Sequence, residues 1–215
     1  MTLRNGLLTL LLFAFATIQA QNPSKYKDDQ VPRLGIKGGL SMASIIKTNG
    51  SGFSSTPLYG FNGGLVFQLP LGDVISLQPE LLFSQKGYHA TGSTFIGGYD
   101  YKRFLNFLDI PLLLRISPIK TFGIVLGPQY SYLLSTKTSF NTGNAAYVQT
   151  VNNENNSITK NIFGGVIGVD VNVNSFLFIY GRYTLDFKNN NGDGTSSTPA
   201  YKNQVFQVGA GFLFN

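Results

Sequence analysis

The strongest constraint on the fold is an alternation of apolar and polar residues with a period of two, which runs from Leu34 to the end of the chain. One stretch shows it clearly, with Leu177, Ile179, Gly181, Tyr183, Leu185 and Phe187 on one parity and Phe178, Tyr180, Arg182, Thr184, Asp186 and Lys188 on the other. A period of two predicts β-strands, because successive side chains of a strand point to opposite faces of the sheet.

The alternation is interrupted at intervals that predict eight strands. We place them near 34–43, 58–70, 74–88, 101–116, 121–135, 160–173, 176–188 and 204–214. The connections after strands two, four and six are short, at 71–73, 117–120 and 174–175. The other connections are long and rich in Gly, Ser, Thr and Asn, at 44–57, 89–100, 136–159 and 189–203. Short turns at one rim and long loops at the other are typical of outer-membrane barrels.

The composition of the two faces indicates which of them points outward. Charges in mid-strand, such as Asp109, Arg115, Asp170 and Arg182, all fall on the polar parity, where a charge facing lipid would cost about 2–4 kcal/mol. Glycine recurs on this polar parity, as expected for a narrow interior. These positions are Gly35, Gly39, Gly60, Gly64, Gly123, Gly127, Gly164, Gly168, Gly209 and Gly211. The sequence therefore predicts an all-β fold, an eight-stranded antiparallel up-and-down transmembrane β-barrel with lipid outside.

Three prolines fall inside the predicted strands, at Pro79, Pro111 and Pro128. Proline has no N–H to donate to a neighbouring strand, so each predicts a bulge or a local gap in the pairing.

The N-terminus reads as an export signal. Arg4 precedes a short apolar run at 7–16, and Ala20 is an acceptable residue before a cleavage site, so we predict a signal peptide over 1–20 with cleavage between Ala20 and Gln21. The alternative is an N-terminal membrane helix, for which the apolar run is short. Residues 21–33 then form a polar periplasmic tail, and the barrel occupies 34–215.

The residue content argues against several functional classes. The chain has no cysteine, which excludes thiol nucleophiles and Cys-ligated metals, and no metal cluster or nucleotide fingerprint is present, so no cofactor is expected. The net charge of +6 is dispersed, which argues against nucleic acid and leaves a mild attraction to anionic lipid headgroups. The single histidine, His89, has Ser84, Ser93 and Asp100 nearby in sequence, but no spacing predicts a catalytic triad. We predict that the protein is not an enzyme.

The last strand resembles the C-terminal insertion signal of bacterial outer-membrane barrels. Gln207, Gly209, Phe212 and Phe214 fit the pattern of a polar residue, a glycine and two aromatics, although the chain ends on Asn215 rather than on the aromatic. The resemblance implies that the barrel-assembly machinery is a partner.

Other stretches resemble the outer membrane protein beta-barrel family of Bacteroidetes, often described as PorT-like. They are the first strand at 34–41, the third at 77–87, the fourth at 108–115 and the fifth at 123–128. The resemblance covers most of 34–215 and implies an eight-stranded barrel in the outer membrane. The resemblance implies no single biochemical activity, because one member is linked to a protein-secretion system but many members have no assigned role.

The polar parity carries many charges for so small an interior. They are Lys37, Glu80, Lys86, Arg103, Asp109, Arg115, Asp170, Arg182, Asp186 and Lys188. Since eight strands enclose an interior that side chains can fill, we expect these charges to pair as a plug-like ion network. The alternative is a narrow ion path or a small polar ligand site, with Glu80, Asp109, Arg115 and Arg182 as candidate residues.

Three functional hypotheses follow. The first is a non-enzymatic outer-membrane barrel with an envelope-structural or interaction role through its long extracellular loops, with outer-membrane lipid and surface proteins as partners. The second is a secretion-system accessory or narrow channel. The third is a barrel enzyme that acts on lipid or peptide at the outer rim, and failure of His89→Ala to alter any lipid modification would count against it.

Overall fold

A computed structural model describes residues 31–47, 55–94, 97–141, 146–151, 159–189 and 201–214. The predicted signal peptide, its cleavage site and nearly all of the predicted tail lie outside these residues and stay predictions. Across the described part of the chain, no helix is long and apolar enough to cross a bilayer.

The described residues form ten strands. They are β1 (Arg33–Lys47), β2 (Ser55–Thr56), β3 (Leu58–Pro70), β4 (Ile75–Thr94), β5 (Gly97–Ile119), β6 (Phe122–Asn141), β7 (Ala146–Val151), β8 (Asn161–Asn172), β9 (Leu177–Asp186) and β10 (Tyr201–Phe214). Eight of them close into a ring in the order β1, β10, β9, β8, β6, β5, β4, β3, with β3 pairing back to β1. All pairings are antiparallel, so the predicted eight-stranded barrel is confirmed.

The three short connections lie at one end of the barrel, which we call the turn end. Asn174 shapes one of them, because its side-chain oxygen accepts the backbone N–H groups of Phe176 (3.0 Å) and Leu177 (2.7 Å). This satisfies two donors that the turn would otherwise leave unpaired.

The long connections at the opposite end, the loop end, are shorter than the sequence predicted. Strand β4 continues to Thr94 and β5 begins at Gly97, so most of the predicted loop 89–100 is a hairpin. In the predicted loop 136–159, β6 continues to Asn141 and pairs with β7. Strand β2 lies within the predicted loop 44–57, and β10 begins at Tyr201, inside the predicted loop 189–203. The Gly-, Ser- and Thr-rich segments that the sequence analysis assigned to loops therefore belong in part to strands, which continue in register with their neighbours.

The prolines produce gaps in the ladder rather than bulges. Strands β5 and β6 pair at Pro111–Gln129 and next at Leu114–Leu126, so the register is unchanged across the gap. Strands β4 and β5 show a similar gap beyond Pro79. The register shifts of β5 and β6 occur elsewhere, beside Asn106 and after Ile116.

The apolar parity faces outward and the polar parity faces inward. In β9, Ile179 is 52% exposed whereas Tyr180 is 2% exposed. The exposed surface carries many large apolar side chains, among them Leu40, Phe61, Phe163, Ile167 and Val208. A soluble protein would not leave such a band in water.

Candidate functional site: the barrel interior

Nine of the ten charged side chains predicted to face the interior are buried there. They are Lys37, Glu80, Lys86, Arg103, Asp109, Arg115, Asp170, Arg182 and Asp186, none more than 8% exposed. The tenth, Lys188, was predicted wrongly. It lies two residues beyond the end of β9 and is exposed at the loop end, because the alternation stops constraining a side chain once the strand has ended.

Five of these residues form a chain of ion pairs near the turn end, which we call the turn-end cluster. Lys37 Nζ lies 2.5 Å from Glu80 Oε2, and Glu80 Oε1 lies 3.8 Å from Arg182 Nη2. Arg182 Nη2 lies 2.7 Å from Asp170 Oδ1, and Asp170 Oδ2 lies 3.5 Å from Arg115 Nε. Each charge therefore has an opposite charge beside it, which offsets part of the cost of taking it out of water.

A second group lies nearer the loop end, and we call it the loop-end cluster. Lys86 Nζ lies 3.2 Å from Asp109 Oδ1 and 3.7 Å from Asp186 Oδ1, and it donates to Ser131 Oγ at 3.1 Å. Asn203 donates to Asp186 Oδ2 at 3.1 Å. One ammonium thus bridges two carboxylates from different strands.

Two contacts in these clusters cross the barrel from wall to wall. Strands β4 and β9 occupy opposite positions in the eight-membered ring. The contact of Glu80 with Arg182 and that of Lys86 with Asp186 both join these two strands. Side chains on opposite walls therefore meet in the middle of the interior.

Tyr180 lies in the interior beside the turn-end cluster. Its hydroxyl donates to Asn62 Oδ1 at 2.6 Å, and Asn62 donates to Ser41 Oγ at 2.9 Å. Lys37 Nζ lies 4.4 Å from the centroid of its ring, close enough for a cation–π contact. The phenol thus links the ion pairs to a neutral polar layer.

Apolar side chains fill the rest of the interior, and sequence analysis did not single them out. Leu105, Phe107, Leu133 and Ile162 form one buried cluster. Towards the loop end, the rings of Tyr88 and Tyr201 pack edge to face with centroids 5.3 Å apart. The inward parity of these residues in the sequence could have placed them in the interior. Apolar residues on that parity, however, look the same in the sequence as apolar residues that face lipid.

The interior glycines make room for particular large side chains. A Cβ on Gly123 would lie 2.8 Å from Arg115 Nε, and a Cβ on either Gly39 or Gly209 would lie 2.7 Å from the hydroxyl oxygen of Tyr180. At Gly39 and Gly209 a Cβ would also press on the backbone carbonyl oxygens of Val208 and Gly38, so these two positions need glycine, whereas a side chain at Gly123 would displace only the end of the arginine.

The candidate catalytic residues are not brought together. The ring of His89 contacts Thr56, with Nδ1 3.2 Å from Thr56 Oγ1. Ser84 is buried on the opposite, inward face of β4. The side chains of Ser93 and Asp100 lie outside the described residues.

The residues of the predicted insertion signal divide between the two faces of β10. Gln207 is buried and Gly209 lies beside Gly39 of β1, while Phe212 and Phe214 are 45% and 51% exposed on the outer face. Phe212 stacks on Phe176, with ring centroids 6.4 Å apart. Asn215 lies outside the described residues.

The family model for the outer membrane protein beta-barrel domain matches residues 19–192. The chain belongs to this family. The protein is therefore an outer-membrane barrel. Since bacterial barrels of this kind carry their short turns on the periplasmic side, we infer that the turn end is periplasmic and the loop end extracellular. No curated protein sequence matches the chain.

Solved structures of outer-membrane proteins resemble the chain at low sequence identity. Neisserial surface protein A is 12% identical with a TM-score of 0.50, over 84% of this chain and 97% of that chain. The attachment invasion locus protein Ail of Yersinia pestis is 13% identical with a TM-score of 0.48, over 85% and 98%. A major outer membrane protein of Thermus thermophilus is 14% identical with a TM-score of 0.49, over 85% and 99%. At 12% identity, the likeness to Neisserial surface protein A concerns the fold alone.

Proposed function

We propose that the protein is a closed, non-conducting and non-enzymatic outer-membrane barrel, with an envelope-structural or interaction role through its extracellular end. The observation that supports it is the pair of contacts across the interior, Glu80 to Arg182 and Lys86 to Asp186. An eight-stranded barrel has little space beyond what side chains fill, and ion pairs that span it leave no continuous water path.

The experiment is a conductance measurement on the refolded full chain in a planar bilayer. We expect no steady current from the wild-type protein. The double variant Glu80→Ala, Arg182→Ala should raise the current, because it removes both partners of a contact across the interior. The control variant Lys137→Ala changes an exposed cation and should stay closed. A steady wild-type current whose ion selectivity is lost in the double variant would instead favour the narrow channel.

The interaction role is supported by the unequal height of the barrel wall. Strands β4, β5 and β6 are 20, 23 and 20 residues long, whereas β8 and β9 are 12 and 10. A tilted strand needs only about 9–11 residues to cross a bilayer. The additional residues of β4, β5 and β6 form a sheet outside the membrane, and β2 and β7 widen it. This sheet offers an ordered surface to another protein.

The resemblance of several strands to the PorT-like barrels of Bacteroidetes favours a component of a protein-secretion system as the partner of this surface. The test is deletion of the gene, followed by measurement of secreted proteins and of membrane integrity. Loss of secretion with an intact membrane would support a secretion accessory, and unchanged secretion would leave the envelope-structural role. The barrel enzyme is the least supported alternative, since His89 and Ser84 lie on opposite faces of β4.

A further inference from the structure

We propose that the low side of the extracellular rim, where β8, β9 and β10 reach the membrane surface, binds a phosphorylated lipid of the outer leaflet through Lys188 and Lys202. Lys160 lies at the same rim as a third cation. We call this sector, with its three lysines, the low rim.

The strand lengths place the low rim at the depth of lipid headgroups. Strands β8 and β9 have 12 and 10 residues, close to the about 9–11 that span a bilayer. Lys160 directly precedes β8 and Lys188 lies two residues beyond the end of β9. Both lysines therefore lie where the hydrocarbon region ends on the extracellular side.

The register brings Lys188 and Lys202 close together. The β9–β10 pairing includes Leu185 with Gln204, and two more residues in the same register place Phe187 opposite Lys202. Lys202 in turn pairs with Ile46 of β1. Lys188 is thus a near neighbour of Lys202, since adjacent strands lie about 4.8 Å apart.

An aromatic row marks the interface just beside these lysines. Phe163 and Phe187 are 53% and 59% exposed on the outer face, and the N–H of Phe187 donates to the carbonyl of Phe163 at 2.8 Å. Tyr130 packs against Phe163 with ring centroids 5.2 Å apart. Aromatic girdles of this kind lie at the membrane interface of outer-membrane barrels, and a Lys next to one can lay its stem on the rings while its ammonium reaches the headgroups.

The charges around the low rim favour an anionic partner. Among the acidic side chains that the structure describes, Glu80, Asp109, Asp170 and Asp186 are buried inside the barrel, and Asp73 is in the periplasmic turn after β3. None of these five can neutralise the lysines of the low rim from the outer surface. Phosphates of outer-leaflet lipid lie at this depth and carry the complementary charge.

The test is calorimetric titration of the refolded full chain in an uncharged detergent with phosphorylated lipid A, and with the same lipid after its phosphates have been removed. The variant Lys188→Gln, Lys202→Gln removes two cations of the low rim. The control Lys120→Gln, Lys137→Gln also removes two exposed cations, one in a periplasmic turn and one higher on the tall wall. A difference in gel mobility between boiled and unboiled samples shows that both variants fold.

We expect the wild type and the control to bind the phosphorylated lipid more tightly than the dephosphorylated one. The variant of the low rim should lose about tenfold to thirtyfold in affinity, since each lysine near an anionic surface contributes about 1 kcal/mol. Equal binding of the two lipids, or equal losses in variant and control, would overturn the proposal. So would complete competition by inorganic phosphate, because the site would then recognise free phosphate rather than lipid.

Discussion

Gly87 shows how a single residue fixes the path of a strand. It lies in β4 with φ of +142°, a backbone conformation that other residues rarely adopt. A Cβ there would also press on the carbonyl of Arg103 in the neighbouring strand, with the carbonyl carbon at 3.0 Å. Both the conformation and the contact therefore require glycine.

We expect Gly87→Ala to lower the free energy of unfolding by about 1–3 kcal/mol, the cost of holding a residue with a side chain in a sparsely populated backbone region. Urea unfolding in detergent micelles measures it. The matched control is Gly72→Ala in the periplasmic turn, where nothing lies within 4 Å of the new Cβ, and it should change stability by less than about 0.5 kcal/mol. Equal losses in the two variants would contradict the argument.

The pair of Lys37 and Glu80 gives a second prediction for single residues. Both side chains are about 1% exposed, so replacing one leaves the other charge buried with fewer partners. We expect Lys37→Met or Glu80→Gln alone to cost about 3–5 kcal/mol, and the double variant to cost less than the sum of the two.

A double-mutant cycle by urea unfolding gives the coupling between them, and Lys137→Met, at an exposed position, serves as the control. Strictly additive losses would mean that the two charges are stabilised independently. The turn-end cluster would then not act as a connected network.

At the scale of elements, β10 closes the barrel by pairing with β1 along its whole length, from Leu34–Phe214 to Lys47–Tyr201. The two aromatics near its end point outward and make no part of the interior packing. Their position is consistent with recognition by the assembly machinery before the barrel closes, as the resemblance to the insertion signal implies.

We therefore expect the variant Phe212→Ala, Phe214→Ala to reduce the amount of folded protein in the outer membrane severalfold, while the purified chain still refolds in detergent. The control is Tyr59→Ala, which removes an aromatic that is 72% exposed on β3. Quantification of the heat-modifiable band in isolated outer membranes measures the effect. If the two variants assemble equally well, the aromatics of β10 carry no insertion signal.

At the scale of the whole molecule, the protein combines an apolar exterior that faces lipid with an interior of paired charges. A water-soluble barrel would arrange the two faces in the opposite way. The same inversion explains why the charged residues of the membrane-spanning part of the strands lie on the inward parity, whereas Lys102 and Lys137, on the outward parity, belong to the extended part of β5 and β6.

The corresponding prediction concerns residues 21–215 refolded in detergent. The unboiled protein should migrate faster on a gel than the boiled one, with a β-sheet circular dichroism spectrum, because the closed barrel resists unfolding by the gel detergent. A chain that folds to a stable soluble form without detergent would refute the assignment of the lipid-facing surface.

The sequence by itself determined the architecture. Three features predicted the number of strands, the face that points outward and the positions of the short turns. They are the period of two, the confinement of charges to one parity, and the alternation of short and long connections. These features could be read because each follows from local geometry: side chains alternate along a strand, and lipid tolerates no unpaired charge.

Only the tertiary structure decided which charges meet. The contacts of Glu80 with Arg182 and of Lys86 with Asp186 depend on β4 and β9 lying on opposite walls, which follows from closure of the ring and not from distance in the sequence. The structure also showed the unequal strand lengths of the wall and the end of β9 at Asp186, which leaves Lys188 exposed at the low rim. Parity assigns a residue to a face, but its level along the barrel and its neighbours across the interior are set by strand register, which depends on pairings between distant parts of the chain.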